Sequence, residues 1–424
     1  MLTGRASGNG GWPRVRDMAS KGSSKRVGKT DAAKAATRKV AREPSRPSKG
    51  RSARPSPADV KPARAASPAP SIKPADRSVK PADRSVLARG PGCQILPGQQ
   101  MLFLSQASLA RLPWENGEVI NHVQFALRDI GRGKVETSQQ IVLYPQRESL
   151  LSAVAACIPN VQACGLKLFA TFPNNQRHQL PQVSSLVVLT DPHTGFPIAV
   201  MDAGWLVSQR GPAVSAVAAK LLGRATSTTA TIIGAGVQGR GHIPALVDAL
   251  PSLTTVWVYD IDPSQTVKAI RWARSVLSRK IHLEPAADLA AAVRTADVIV
   301  SATATREKAS PTVPADWIRQ GALVLPLDLD SIFAAEIFEQ ADRFYVDSLD
   351  DLKALHEKGV FLRAMPTHVT GQLGHLLAGR IEGRSADAEI IVCLNIGSGA
   401  VDIALARAAF DKACRLGVGQ VLSL

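Results

Sequence analysis

Residues 229–246, TATIIGAGVQGRGHIPAL, constrain the fold more than any other stretch of this chain. A β-branched run, Thr229 to Ile233, ends in Gly234-Ala235-Gly236-Val237-Gln238-Gly239, and a helix-compatible segment follows. Strand, glycine turn and helix in that order seat the pyrophosphate of a dinucleotide on a helix N-terminus. Gly234 serves the tight turn, Gly236 the close approach of phosphate to backbone, and Gly239 the packing of helix on strand. Val237 and Gln238 open the helix, whose free N–H groups and positive dipole end face the phosphates. A second strand, Thr255 to Tyr259, ends in Asp260, which lies 21 residues after Gly239. An acid at that distance meets the adenosine ribose 2′-hydroxyl and disfavours a 2′-phosphate. NAD is therefore the expected cofactor, with Lys268 and Arg271 keeping NADP open as the alternative.

From about residue 224 onward, strand-like runs at 229–233, 255–259, 281–284, 297–302, 322–328, 343–347 and 390–394 alternate with helix-like segments. This predicts an α/β fold, a doubly wound parallel sheet of the Rossmann type, over residues 224–396. Residues 93–223 read differently. Short strands at 140–144, 165–172, 183–190 and 197–202 are separated by turn signals such as Pro173-Asn174-Asn175 and Asp191-Pro192-His193-Thr194-Gly195. They predict a smaller α+β domain with an antiparallel sheet. Pro212 suits the first position of a helix running to about Leu222.

The formal charge of +16 suggests nucleic-acid binding until it is located. Residues 1–92 hold 22 of the 51 Lys and Arg and 6 of the 35 Asp and Glu, which is the entire excess. The remaining 29 basic and 29 acidic residues cancel, so residues 93–424 carry no electrostatic reason to seek DNA. The tail is rich in Ala, Pro, Ser, Lys and Arg and repeats KPADRSV at 73–79 and 80–86. Such a composition buries too little apolar surface to offset its ordering entropy and is expected to be disordered. A solvated spacer, a polyanion-binding arm and a stretch upstream of the true start are its three readings. Cys93, Cys157, Cys164, Cys393 and Cys414 are odd in number and fit no metal or redox spacing. His368 and His375 match no common zinc motif, so no metal is expected. With no secretory leader and no apolar run of spanning length, no membrane contact and a cytoplasmic location are expected.

Beyond the fingerprint, GLKLFATFPNNQRHQLPQVSSLVVLTDPHTGFPIAVMD (165–202), RGPAVSAVAAKLL (210–222), VLPLDLDS (324–331), GQLGHLLAGRIEGRSADAE (371–389) and LNIGSGAVDIA (394–404) share order and spacing with one family. On these segments the chain resembles the ornithine cyclodeaminase/mu-crystallin family over nearly all of residues 115–424. The resemblance implies a homodimer built through the non-Rossmann domain, with a C-terminal helix (397–424) returning to that domain. It also implies NAD(P)-dependent chemistry at the Cα–N bond of a small amino acid or its imine.

Carried over position by position, the resemblance makes Lys167 the active-site lysine, which binds the substrate carboxylate and assists proton transfer. A cation in the apolar strand Gly165-Leu166-Lys167-Leu168 needs such a partner when buried. Arg210 takes the place of the carboxylate-binding arginine, and its planar fork suits a bidentate grip. Asp330 matches the catalytic acid/base, while Asp328 is either a second carboxylate that perturbs it or a structural group. Ser301, Ala302 and Thr303 follow the fourth strand and are expected to line the cofactor. Asn395 belongs to the family's loop near the nicotinamide.

Several positions depart from the pattern. Gln140 stands where relatives carry a basic residue for the carboxylate, so it is a weaker substrate-binding candidate. Ser152 stands near the glutamate that ornithine-specific relatives use for the distal amine. Gly211-Pro212 replaces Thr-Gly, and Ala334 replaces a frequent lysine. The expected activity is ornithine cyclodeaminase-type conversion of L-ornithine to L-proline and ammonia. A ketimine or pyrroline-2-carboxylate reductase, or an amino-acid dehydrogenase, is the alternative enzyme. A non-catalytic mu-crystallin-like NADPH-binding protein is the alternative of another class.

Overall fold

A computed structural model describes residues 89–90 and 93–424, apart from 116, 147–148, 305–309 and 358–367. All belong to one compact unit, Ser78–Leu424. The tail expected to be disordered and to meet polyanions lies outside the described residues, save for the backbone of 89–90.

The first layer is a mixed sheet. A minimal pair, β1 (Arg89–Gly90) and β2 (Cys93–Gln94), precedes β3 (Gln100–Leu104), the short helix α1 (Gln106–Ala110) and helix α2 (Glu118–Gly131). α2 buries Ile120, Val123, Ala126 and Leu127, a stripe at helical spacing that faces the core. Strands β4 (Glu136–Thr137), β5 (Ile141–Leu143), β6 (Leu150–Ile158), β7 (Ala163–Thr171), β8 (Val183–Thr190) and β9 (Pro197–Asp202) follow. β6 to β9 form an antiparallel meander, and β3 joins β9 in parallel. The long β6 escapes the sequence reading because its Ala-rich run Ser152-Ala153-Val154-Ala155-Ala156 has weak strand propensity.

Helix α3 (Gly204–Leu222) carries the chain to the second layer. It begins eight residues before Pro212, so the expectation that Pro212 opens this helix and that Arg210 precedes it is corrected. The Asp202 carboxylate accepts the Gly204 N–H at 2.8 Å and anchors the earlier start. Inside the helix the proline ring packs against Gly241 of the neighbouring helix, where an added Cβ would lie 2.9 Å from the Pro212 Cγ. Arg210 is therefore held on a rigid helix.

The second layer contains β10 (Thr229–Ile233), α4 (Val237–Ala249), β11 (Thr255–Tyr259), α5 (Pro263–Val276), β12 (His282–Pro285), α6 (Leu289–Thr295), β13 (Val298–Ser301) and β14 (Leu323–Pro326). It continues through α7 (Ala335–Glu339), β15 (Arg343–Val346), α8 (Leu349–Glu357), β16 (Val369–Gln372), α9 (Leu373–Leu377) and β17 (Ile391–Leu394). Its eight strands are all parallel, in the order β12-β11-β10-β13-β14-β17-β15-β16. β13, β14 and β17 are buried along their whole length, as continuous apolar runs in a sheet covered on both faces must be. Asp262 and Asp288 cap α5 and α6 by accepting the N–H groups of Ser264 and Ala290, each at 2.9 Å. β16 is a strand the sequence reading does not include.

The chain then returns to the first layer. α10 (Gly399–Leu416) packs on β6 and β7, and β18 (Gln420–Ser423) pairs antiparallel with β3. Six alanines on α10, among them Ala400, Ala404 and Ala406, let it sit close to the sheet. One continuous apolar core runs from the mixed sheet through α3 and α10 into the parallel sheet.

Candidate active site

Sequence reversal in the parallel sheet occurs between β10 and β13, and open α/β sheets bind ligands at the strand ends there. The glycine loop leaves β10 at this point. Gly234 has φ +93°, and an added Cβ would lie 2.6 Å from the Ala302 carbonyl oxygen. A Cβ on Gly239 would lie 1.7 Å from the Gly234 carbonyl oxygen, so the helix approaches the loop as closely as the fingerprint requires. A Cβ on Gly236 would meet nothing within 4 Å. The loop is thus tight where it packs on protein and open where a phosphate would rest. Val237 is half exposed at the helix start. Asp260 ends β11 beside the loop, where its carboxylate accepts the N–H of Ala235 at 2.7 Å and of Asp262 at 2.9 Å. Loop, helix N-terminus and acid together fit an adenine dinucleotide.

Gln238 is the fingerprint residue that turns away from this cradle. Its Nε2 donates to the Val207 carbonyl at 3.0 Å, tying α4 to α3. On the neighbouring strand, buried Asp328 accepts the hydroxyls of Ser301 and Thr303 and the N–H of Thr303. Of the two readings for Asp328, the structure favours the structural one, because this carboxylate fixes the loop Ser301–Thr303. Ala302 and Thr303 remain partly exposed at the cradle. Leu329, at φ +60°, reverses the backbone and separates buried Asp328 from partly exposed Asp330.

A second cluster gathers residues that are far apart in sequence. Lys167, on the inner face of β7, donates to Asp402 Oδ2 of α10 at 2.7 Å, and both side chains are buried. The ring of Phe169 lies 5.7 Å from the same ammonium. Arg210 Nε faces Asp402 Oδ1 at 3.5 Å. Its Nη1 donates to Asn395 Oδ1 at 3.2 Å. Asn395 in turn donates to the Gly211 carbonyl at 2.9 Å and to Ser215 Oγ at 3.2 Å. Its side chain is therefore committed to holding Arg210. Gly397 has φ +112°, and a Cβ there would lie 2.5 Å from the guanidinium. Only glycine lets the arginine lie flat on this loop.

Two further buried groups support the cluster. Asp347 accepts the N–H groups of Ile396 at 2.9 Å and Gly397 at 2.7 Å. Burial pushes its carboxyl up to about 6, against the opposing pull of Arg210 and those two N–H groups. His242 lies between Ser215 Oγ at 2.9 Å and the Gln238 carbonyl at 2.8 Å. Burial lowers its pKa to about 4, so the ring is neutral. The Gln238 carbonyl can only accept, which places the proton on Nδ1 and makes Nε2 the acceptor from Ser215. A continuous donor chain thus runs from Arg210 through Asn395, Ser215 and His242 to Gln238.

The sequence-derived residues separate accordingly. Gly234, Gly236, Val237, Gly239, Asp260, Ala302 and Thr303 meet at the cradle, and Lys167, Arg210 and Asn395 meet in the charged cluster. Gln140 is exposed in the step between β4 and β5. Among the described residues no hydrogen bond joins it to Lys167 or Arg210. Asp402, Asp347, Ser215 and His242 are absent from the sequence reading. Asp402 carried a usable signal, an acid inside the apolar run Gly399–Phe410 like Lys167 inside its strand.

Among the described residues no group of three or more His, Cys, Asp or Glu could hold a metal ion. No described helix is long and apolar enough to cross a membrane.

Comparison with known proteins follows the same lines. The chain is 30% identical over 322 residues to the nodulation efficiency protein NfeD of Rhizobium meliloti, covering 76% of this chain and 98% of that one. The structure of Thermococcus litoralis Delta(1)-pyrroline-2-carboxylate reductase in complex with NADH and L-proline is 27% identical, with a TM-score of 0.67, covering 76% of this chain and 99% of that one. An archaeal alanine dehydrogenase dimer with bound NAD is 28% identical, with the same TM-score and the same coverage. Residues 100–416 match the ornithine cyclodeaminase/mu-crystallin family, and on that match, together with the cradle and the paired cations behind it, the chain belongs to this family.

Proposed function

We propose that the chain catalyses NAD-linked hydride transfer at Cα of a small amino acid or cyclic imino acid. The convergence of Lys167 and Arg210 on one buried site beside the glycine loop carries this reading. Two cations from different layers form a grip for a carboxylate. When bound, NAD supplies the hydride acceptor, and the cradle at Gly234–Gly239 with Asp260 holds it. Lys167 and Arg210 fix the carboxylate, which orients Cα. Asp330 takes the proton released at the α-nitrogen during oxidation and returns it during reduction.

Within this class the geometry favours an imino-acid reductase or amino-acid dehydrogenase. Ser152 is buried on the same sheet face as Lys167, in a cross-strand row with Val142, Phe169 and Ser185. That row offers a distal ammonium no carboxylate. Conversion of ornithine to proline and ammonia is the second reading, supported by the family itself.

A homodimer is part of the proposal. Ile141, Leu143, Leu166, Leu168 and Leu186 are exposed on the outer face of the mixed sheet, a surface suited to a second copy. A cytoplasmic location is part of the same proposal.

The test is turnover by purified protein with NAD and L-proline, L-alanine or L-ornithine, following NADH, proline and ammonia together. Lasting NADH from an amino acid, and its consumption with the matching imine, is the expected result. Equal proline and ammonia from ornithine without lasting NADH would install the second reading. Tight NADH binding without turnover of any of them would sink the enzymatic proposal and leave a binding protein.

A further inference from the structure

The charged cluster contains an acid to which the motif pattern assigns no role. Asp402 lies in the first turn of α10, where the helix dipole favours an acid. Its two oxygens are divided between two cations, Oδ2 toward Lys167 at 2.7 Å and Oδ1 toward Arg210 Nε at 3.5 Å. Neither Asp402 Oδ1 nor Arg210 Nε has a hydrogen-bond partner among the described residues, so charge alone couples them. The carboxylate is held from behind. A Cβ on Gly399 would lie 2.7 Å from Val154, the residue paired with Lys167 across β6 and β7, so the start of α10 is seated directly against the lysine's own strand pair.

We propose that Asp402 is the positioning residue of the carboxylate grip. It sets the spacing of Lys167 and Arg210 and keeps the lysine aimed, so that the C-terminal helix is a working part of the site. The proposal rests on the reading of Lys167 and Arg210 as a carboxylate grip. A buried ammonium without an anion is strongly disfavoured, and loss of one partner from a buried pair is far more damaging than loss of both. Asp347, whose carboxyl feels the charge of Arg210, accepts the N–H groups of Ile396 and Gly397 and does not replace Asp402 at Lys167.

Two readouts separate this role from a merely structural one. The first needs no turnover. Acylation of Lys167 by an amine-selective reagent is followed by mass spectrometry at fixed pH. Asp402→Asn should raise its labelling roughly tenfold relative to exposed Lys268, because the amine is released from the 2.7 Å ion pair that holds it in the wild type. The second is kinetic. Asp402→Asn should lower kcat/KM about tenfold or more, Asp402→Glu should recover part of it, and on a Lys167→Met background Asp402→Asn should add less than about threefold. Unchanged labelling in a folded variant, or fully multiplicative losses, would overturn the proposal. Should Asp402→Asn not fold, folding of Asp402→Leu/Lys167→Met would support it and failure of that double variant would overturn it. If the carboxylate reading itself fails, turnover disappears from all comparisons while the labelling result still stands.

Discussion

The glycine cradle and the charged cluster serve one reaction but are built by different rules. The cradle is mostly backbone and comes from the consecutive residues 229–260, with Ala302 and Thr303 added from the next strand of the sheet. The cluster is mostly side chain, and its central pair, Lys167 and Asp402, is 235 residues apart in the chain. A backbone site depends on what is absent, the Cβ atoms of three glycines. A side-chain site depends on burial, where each charge needs its partner. Damage should therefore spread differently in the two regions: locally and sterically in the cradle, and through charge pairing in the cluster.

The largest expected effect separates chemistry from binding. Asp330→Asn should lower kcat by roughly 10²- to 10⁴-fold, the usual worth of a general acid/base, while NADH affinity by fluorescence titration stays within about twofold. Full activity in this variant would remove Asp330 from the mechanism. Arg210→Ala comes next, with a loss of about 10²-fold in kcat/KM, the order expected from one charge-assisted grip. NADH affinity should hold, and a parallel loss would show that the donor chain through His242 to Gln238 couples the two regions.

The glycines test the steric side. Gly236→Ala should leave the melting temperature unchanged, since its Cβ meets no protein atom within 4 Å, yet weaken NADH binding by roughly tenfold because it fills the cradle. Gly239→Ala should do the reverse in emphasis, destabilising the fold by about 1–3 kcal/mol as the new Cβ meets the Gly234 carbonyl. Equal effects on stability would contradict the division between open and packed glycines. Asp260→Asn should reduce the preference for NAD over NADP by about tenfold, measured as a ratio of dissociation constants.

The last test lies in the pH dependence of stability, where two buried groups offset each other. His242 is neutral in the fold with its pKa lowered to about 4, below its ordinary value of 6.5. The unfolded chain therefore binds a proton that the folded ring refuses, and stability falls as pH drops from about 6.5 to about 4. Asp347 acts in the opposite sense. Its carboxyl is raised to about 6, so stability is gained as pH falls through 6 toward 3.8. His242→Gln should flatten the acid loss in thermal melts, and Asp347→Asn should steepen it. Identical profiles for all three proteins would show that neither group is linked to folding as described.

Local pattern made the cradle legible. β10 and β11 fall on the residues that the β-branched runs mark, Thr229–Ile233 and Thr255–Tyr259. The strands of the parallel sheet are similarly readable because full burial forces apolar runs such as Val298–Ser301. β6 is hidden in the sequence because alanine carries little strand signal, and the start of α3 is hidden because it depends on the Asp202 carboxylate. Lys167 and Arg210 could be named from the family's pattern, but the pattern does not say what they touch.

By itself the sequence determined the glycine turn, the acid after the second strand and the alternation of strand and helix, because these are properties of neighbouring residues and of side-chain size. Only the tertiary structure decided that Asp402 would stand between Lys167 and Arg210, that Asn395 would serve the arginine, and that His242 would link that arginine to the cofactor helix. The pairings of Asp402 with Lys167 and of Asn395 with Arg210 join residues 235 and 185 positions apart. They exist because α3 and α10 are packed between two sheets, where low polarity obliges every charge and polar group to find a partner.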